Sequence, residues 1–456
     1  MPRGARTALV QPVFGEPIFA EGVPSPDPTV FKTPHPSDQQ LYKQIQNLLT
    51  KDVVSFAKAR GTPSDLYTLQ AALGAHGAAV VQGLQGAGQV VFHVAGDTGA
   101  SNVGKYGNEI NVADHLTQDF HTAAPADRPT FLFHLGDIVY DFGEAQYYYD
   151  QFYEPFRNYP VPILAIPGNH DSFVVPKTPA TKTPLGTFAR NFCATGPVLT
   201  PEAGSLHRTA MTQPGVYFTL DAPFVRIIGL FSNALEDPGV ISSEGGKWSG
   251  VPDYQLDYLM AQLERVKTER YAGALIIATH HPVFSYAPPP KAGGAGGDHG
   301  GSSAMLRDID TICQAQGVYP HAFLSGHAHN YQRYTRTVNV GGKLLSVPFI
   351  VCGNGGHNVV PLVQSRGGVT PGDPTSGASV AYLDTNPVVQ ATGLVINAFD
   401  HTNYGYLRVT ASPTTLRFDY HPVGKSTPAP SIDTVTVNLA ARTVSGASTP
   451  APAPRR

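Results

Sequence analysis

The sequence predicts an α/β fold: a layered α-β-β-α sandwich of two packed mixed sheets, with a polar site at the C-terminal ends of strands. Three observations predict it. Short apolar runs recur between residues 89 and 327, each closing in a glycine, polar or histidine cluster. Helix-periodic stretches lie between some of these runs, and strands that alternate with helices build layered α/β domains. The later apolar runs have the spacing of hairpins and meanders, which favours a mixed sheet, or two packed sheets, over one all-parallel sheet.

Taken in order, residues 1–36 are punctuated by proline and read as an extended arm over the surface. Residues 37–60, "SDQQLYKQIQNLLTKDVVSFAKAR", place leucine, isoleucine and valine at helical spacing behind Ser37, a fitting N-cap. The alanine- and glycine-rich stretch 61–88 predicts a second helix. Together, 1–88 form an N-terminal extension of arm plus helices. The next region, 89–441, reads as the main domain. Within it "QVVFHVAGD" (89–97), "FLFHLGD" (131–137), "VPILAIPGN" (161–169), "GALIIATHH" (273–281) and "HAFLSGH" (321–327) read as buried strands. The clearest helix is 252–271, with Leu256, Leu259, Met260, Leu263 and Val266 on one face and Pro252 near its start. Segments 215–230, 343–353, 405–420 and 433–441 read as strands in hairpins. The Pro/Ala-rich tail, 442–456, ending "SGASTPAPAPRR", has nothing to bury and is expected to be disordered.

Composition narrows the partners. The chain has 456 residues, 41% hydrophobic and only 14% charged, with a formal net charge of −3. That near-balance argues against an electrostatic nucleic-acid binder. No apolar run approaches membrane-spanning length, so a soluble protein with no membrane partner is expected. The start, "MPRGARTALVQPVFGEP", has no apolar core of a signal peptide. The compartment is therefore not legible, and a processed periplasmic or secreted form fits the sequence too. Cys193, Cys313 and Cys352 lie far apart with no CxxC, so buried free thiols are expected rather than a disulfide framework or a thiolate zinc site.

Five strand ends carry metal-binding residue types. They are "GDTG" (Asp97), "GDIVY" (Asp137, Tyr140), "GNHD" (Asn169, His170, Asp171), "THHP" (His280, His281) and "GHAH" (His327, His329). Strand carboxyl ends are where open α/β sheets hold ligands. Alone, the "GD" and "GNHD" clusters read as turn chemistry, "HH" before proline as a strand end, Tyr140 as ordinary half-buried packing, and "GHAH" as open between a metal site and an ordinary strand end. Their succession, each closing an apolar strand, points to one site. Carboxylate, phenolate, amide and imidazole without thiolate suit iron, zinc or manganese. The set exceeds one tetrahedral ion, and sharing it between two ions calls for a bridging carboxylate, a place Asp137 suits. In an extended "GHAH" the alternation of side chains puts His327 and His329 on one side, while His280 and His281 must point apart.

The string "GDTG…GDIVY…GNHD…THHP…GHAHNYQR" resembles the calcineurin-like metallophosphoesterases, and among them most closely the purple acid phosphatases. The resemblance spans residues 96–333, and "VCGNGG" (351–356) resembles a glycine-rich turn found late in that family. Residues 1–88 do not resemble the all-β domain that precedes the catalytic domain of large plant members. The resemblance implies two metal ions. The first, Fe(III), would be held by Asp97, Asp137, Tyr140 and His329. The second, Fe(II), Zn or Mn, would be held by Asp137, Asn169, His280 and His327. His280 takes the role rather than His281 because the family spacing is His-x-Pro and Pro282 sets the frame.

The implied function is acid phosphatase activity: a binuclear-metal hydrolase that cleaves phosphate monoesters, with a metal-bound hydroxide attacking phosphorus. His170, beside Asn169, is a candidate for substrate contact or general acid. His299, in "GGAGGDHGG", is a second candidate catalytic residue, or else an exposed loop histidine. Asp171 orients His170 or caps the next turn. The loop 285–303 reads as a lid or as a passive insertion, and Arg333 as a phosphate contact or, in preference, a partner in a structural ion pair. The expected partner is a small-molecule phosphate ester; the oligomeric state is not legible. One alternative is a phosphodiesterase or nucleotide hydrolase of the same superfamily, whose members commonly have histidine where Gly99 stands and lack the tyrosine. Another is a non-catalytic metal-binding protein. "GDIVYDF" lacks the GDxxDRG of protein Ser/Thr phosphatases.

Overall fold

The structure, a computed structural model, describes residues 39–51, 56–57, 66–140, 142–172, 185–204, 206–285, 299–360, 394–424 and 433–446. The expected arm 1–36, Ser37, residues 286–298 of the glycine-rich loop and the tail from 447 lie outside them.

The chain opens with α1 (Gln39–Thr50), β1 (Leu66–Thr68), α2 (Leu69–Ala72) and α3 (Gly77–Ala87). It continues through β2 (Val90–Ala95), α4 (Val103–Thr122), β3 (Leu132–His134), β4 (Ile163–Ala165) and α5 (Gly186–Phe192). A hairpin of β5 (Phe218–Ala222) and β6 (Val225–Gly229) precedes α6 (Tyr254–Thr268), β7 (Ala274–Thr279), α7 (Ser303–Gln316) and β8 (Ala322–Ser325). The remainder is strands: β9 (Tyr331–Val340), β10 (Lys343–Cys352), β11 (Leu394–Asp400), β12 (Tyr404–Ala411), β13 (Thr415–Val423), β14 (Asp433–Asn438) and β15 (Thr443–Ser445).

Two mixed sheets result. One runs β1-β5-β6-β7-β8-β10-β9-β11 and the other β15-β14-β13-β12-β2-β3-β4. Each has a parallel heart, β6-β7-β8 in the first and β2-β3-β4 in the second. Strands β2 and β7 are buried along their whole length, which is why they read as nearly continuous apolar runs, broken in β2 only by the buried His93. The sheets press face to face: a Cβ on Gly229 of β6 would come within 2.7 Å of the Ile166 side chain and 3.3 Å of the Phe133 ring. Helix α4 contacts β12 and β13, and α6 contacts α7, giving an α/β sandwich. Asn102 caps α4 by accepting from Gly104 and Lys105, and Ser302 caps α7. No helix among the described residues is long and apolar enough to cross a membrane.

Several elements differ from the sequence expectation. The first helix runs Gln39–Thr50; of its expected continuation to 60 only Lys51, Phe56 and Ala57 are described, and they are not helical. The stretch 61–88 is not one helix: Leu66–Thr68 form β1, paired in parallel with β5, so part of the N-terminal extension belongs to the main sheet. A three-residue strand carries no period to read; its pairing partner makes it a strand. Helix α6 buries Gln255, Tyr258, Leu259, Gln262, Leu263 and Val266, while Met260, expected in the core, is 42% exposed. Strand β15 lies inside the segment read as tail and extends the second sheet beyond 441. The cysteines carry free thiols, Cys313 and Cys352 buried and Cys193 half-buried. Arg333 makes the expected ion pair, a bidentate one with Asp433.

Candidate metal centre

The parallel hearts of both sheets end on the same side, and the five clusters lie there. Asp97 follows β2, Asp137 follows β3, Asn169 follows β4, His280 follows β7, and His327 and His329 follow β8. The strand ends are stitched together: Asp97 N–H donates to Gly136 O (2.9 Å) and Gly326 N–H to His280 O (2.9 Å). His280 Nδ1 lies 2.8 Å from Leu135 O, tying the two sheets at the site.

Three candidate ligands sit in left-handed backbone: Asp97 (φ 57°), Asp137 (φ 54°) and His327 (φ 64°). For residues other than glycine this costs on the order of 1 kcal/mol each and marks positions the surroundings force. The flanking glycines are there for space. A Cβ on Gly168 would fall 2.0 Å from Asp137 Oδ1, and one on Gly353, in the late glycine-rich turn, would meet Ala328 O at 2.3 Å.

The expected residues converge. Asp97, Asp137 and His329 offer ligand atoms all within 4.8 Å of one another, and so do Asp137, His280 and His327. Asp137 belongs to both groups. Tyr140 joins the first, its hydroxyl 3.1 Å from His329 Nε2 and 3.3 Å from Asp97 Oδ1. Asn169 joins the second, its Oδ1 2.9 Å from His280 Nε2 and 3.2 Å from His327 Nδ1. His281 turns away: its nitrogens engage the Ser232 hydroxyl (2.8 Å) and Leu235 O (2.6 Å). The route by which His327 and His329 meet the site differs from the expected strand alternation. β8 ends at Ser325, and the left-handed turn at His327, with His327 N–H donating to Asp97 Oδ2 (2.8 Å), brings both in.

The electrostatics are those of close unlike groups kept from water. Burial opposes charge on His280, but Asp137 and Asp97 raise its imidazole to about 9. Burial likewise pushes Asp137 up, yet His280 and His170 hold its carboxyl below the usual range. Asp97, buried and beside Asp137, is raised well above it. Burial lowers His327, and lowers His329 to about 4, so both imidazoles stay neutral, the form that binds metal. At the centre His327 Nε2 makes no hydrogen bond, and Asp137 Oδ2 faces the His280 imidazole, Nε2 at 3.3 Å, without a well-formed one. Orphaned acceptors on facing groups, with a donor set of carboxylate, imidazole, amide and phenol, fit cations.

Around this core, His170 packs its ring 4.2 Å from that of Tyr140, donates its N–H to Asp137 Oδ1 (2.9 Å) and keeps 13% of its side chain exposed. His299 is no exposed loop residue: its ring lies 4.7 Å from those of both His327 and His329, and Asp237 accepts its N–H (2.8 Å). Among the described residues Asp171 serves the strand ends, and the turn it was expected to cap lies outside them. Its carboxylate accepts N–H bonds from Ile138, Val139 and Gly168, clamping the loops after β3 and β4.

Sequence reading missed several supports. Gln151 pairs both ways with the Tyr140 peptide (2.9 and 2.8 Å) from a π-helical turn. His357 stacks on the Tyr140 ring at 3.5 Å, binds Gly99 O (2.6 Å) and meets Lys105 Nζ (2.6 Å). It directly follows "VCGNGG", the one signal that marked it. Asp237 lies 3.8 Å from His327 and Glu236 3.4 Å from Asn169, in a loop that showed no motif.

Buried carboxylates and imidazoles gathered where two parallel strand sets end make a site suited to metal ions. The chain belongs to the calcineurin-like phosphoesterase family, whose sequence model matches residues 90–331 and so includes all seven candidate ligands. No curated protein matches it. Matching solved structures include a Plasmodium protein described as GAP50, the anchor in the inner membrane complex (12% identity over 75% of this chain and 88% of that one, TM-score 0.43). PhoD also matches (14% identity, 79% and 72% covered, TM-score 0.45). So does a predicted phosphoesterase from Streptococcus pneumoniae (11%, 75% and 96% covered, TM-score 0.25). Likenesses this distant carry no argument about function.

Proposed function

We propose that this protein is a phosphomonoesterase of the purple acid phosphatase type, acting on small phosphate esters at a two-metal centre. The observation that carries this reading is that one buried carboxylate, Asp137, belongs to both candidate metal-binding groups. On this reading Asp97, Asp137, Tyr140 and His329 hold a ferric ion, and Asp137, Asn169, His280 and His327 hold Fe(II), Zn or Mn. When bound, two such cations supply charge neutralisation at phosphorus and lower the pKa of water.

The chain's own residues provide the rest. Asp137 is kept ionised by His280 and His170, so it is ready to be shared. Gln151 and His357 hold Tyr140 from its peptide and its ring face. His170, at the solvent edge of the centre, is placed to donate a proton to the leaving alkoxide, and His299 borders the same space. Support for a monoesterase over a diesterase comes from position 99. A Cβ there would lie 2.4 Å from Ile138 O and 2.8 Å from Gln151 Oε1, so the backbone leaves no room for the diesterase-type histidine.

The test is metal analysis and turnover of the purified protein. Two ions per chain, a visible phenolate-to-iron band and turnover of p-nitrophenyl phosphate well above its bis-ester are expected. Preference for the bis-ester would favour the diesterase alternative. Inactivity of the two-ion protein on every phosphate ester would leave a binding protein instead.

A further inference from the structure

Helix α1 lies outside the family match, yet it reaches the loop beside the candidate metal centre. Its Gln46 side chain bonds that loop twice: Nε2 donates to Ala234 O (2.8 Å), and Oε1 accepts from Glu236 N–H (2.8 Å). A side-chain amide that satisfies both the C=O and the N–H of a short stretch imitates a strand partner and fixes its backbone. From the inner side His281 Nε2 meets Leu235 O at 2.6 Å. Residues 234–236 are thus gripped from two directions. The helix is seated by a small apolar cluster of its own, in which Ile45, Leu49 and Phe56 meet Leu235, Val240 and Trp248.

The gripped stretch ends in Glu236, whose carboxylate accepts from Asn169 Nδ2 at 3.4 Å. An amide has one donor end and one acceptor end. Holding its nitrogen on Glu236 turns Asn169 Oδ1 towards His280 and His327, where it lies at 2.9 and 3.2 Å. Partners that orient a ligand side chain in this way typically carry 10–100-fold in metal affinity.

We infer that Gln46 is a positioning residue for the candidate metal centre: through Glu236 it sets the amide of Asn169. The inference rests on the two-ion reading above and assigns the N-terminal helix a part in the site.

The test is a titration of the full-length, metal-free chain with Zn(II) against a chromogenic chelator. It compares the wild type with Gln46→Leu, Glu236→Ala and Glu236→Gln. Fluorescence of Trp248, the single tryptophan, reports helix docking, since it shares an apolar cluster with Ile45 and Leu49 of the helix. Expected are two zinc ions in the wild type, with one of the two affinities about tenfold weaker in Gln46→Leu and Glu236→Ala. Glu236→Gln should stay near wild type, because its amide oxygen still accepts from Asn169. Trp248 emission should be unchanged in Gln46→Leu. Wild-type affinities in Gln46→Leu overturn the inference. Equal weakening of both sites together with a red-shifted Trp248 also overturns it, because the helix would then have come away as a whole. One ion in the wild type removes the two-ion reading instead, and a weakened single site in Gln46→Leu would still uphold the clamp.

Discussion

Tyr140 is buried at the meeting of two carboxylates and an imidazole, with its hydroxyl 3.1 Å from His329. Burial, and then the charges of Asp137 and Asp97, push its phenol well above the ordinary value, so a cation is what would draw the proton off. Tyr140→Phe should therefore bleach or shift the visible band of the iron-loaded protein, as read in an absorption spectrum. A colourless but active wild type would point to a different first metal. Gly168 makes a sharper steric statement. With Asp137 Oδ1 at 2.0 Å and Asp137 N at 2.4 Å from a built Cβ, Gly168→Ala must displace the carboxylate that both groups share. We expect loss of bound metal in elemental analysis, along with destabilisation of about 1–3 kcal/mol from overpacking.

At the scale of elements, the first question is what keeps the two sheets in register around the site. Arg333 on β9 and Asp433 on β14 belong to different sheets, and their bidentate pair spans the gap at 2.6 and 2.9 Å with both side chains buried. Tyr331 adds its hydroxyl to Asp433 at 2.6 Å and stacks on Tyr420 of β13 at 3.9 Å. Removing one member of such a pair leaves a buried charge alone, which costs about 3–5 kcal/mol. Asp433→Ala should show that loss as a lowered urea midpoint. Replacing both residues by apolar side chains of similar volume should recover most of it. The helices tell a different story. In α6 the leucines predict the element, but Tyr258 claims the buried face and turns Met260 to solvent. Periodicity marks a helix; it does not mark which neighbours the stripe will meet.

At the scale of the whole molecule, stability should depend on pH through histidines far from the site as well as near it. His321 lies at the start of β8, beside β7 of the same sheet, where Leu275 N–H donates to its Nδ1 (3.0 Å). Burial, and then the charge of Arg442, lower its imidazole to about 3 from the ordinary 6.5. A group that stays neutral in the fold but takes a proton when unfolded stabilises fully above pH 6.5. That contribution is lost as pH falls through 6.5 towards 3. In His321→Asn, whose amide oxygen can still accept from Leu275 N–H, this component disappears. The stability gap between wild type and variant should therefore narrow by on the order of 1 kcal/mol between pH 8 and pH 5, measured by urea unfolding.

By itself the sequence determined the α/β character, the five polar strand ends and the identity of the residues that gather there. Buried parallel strands are mostly apolar, so the glycine-led clusters of Asp, Asn and His that close them are visible without a structure, although His93 shows that a buried histidine can also sit inside a strand. Only the tertiary structure decided how they meet. The left-handed turns at Asp97, Asp137 and His327 replace the strand alternation that would have aimed the two histidines of "GHAH". Gln46, Gln151, Glu236 and His357 reach the site from segments whose patterns say nothing of the contacts they make there. Their role depends on long-range packing of loops and a helix against the sheets. A side chain's type is local information, whereas its neighbours across the fold are not.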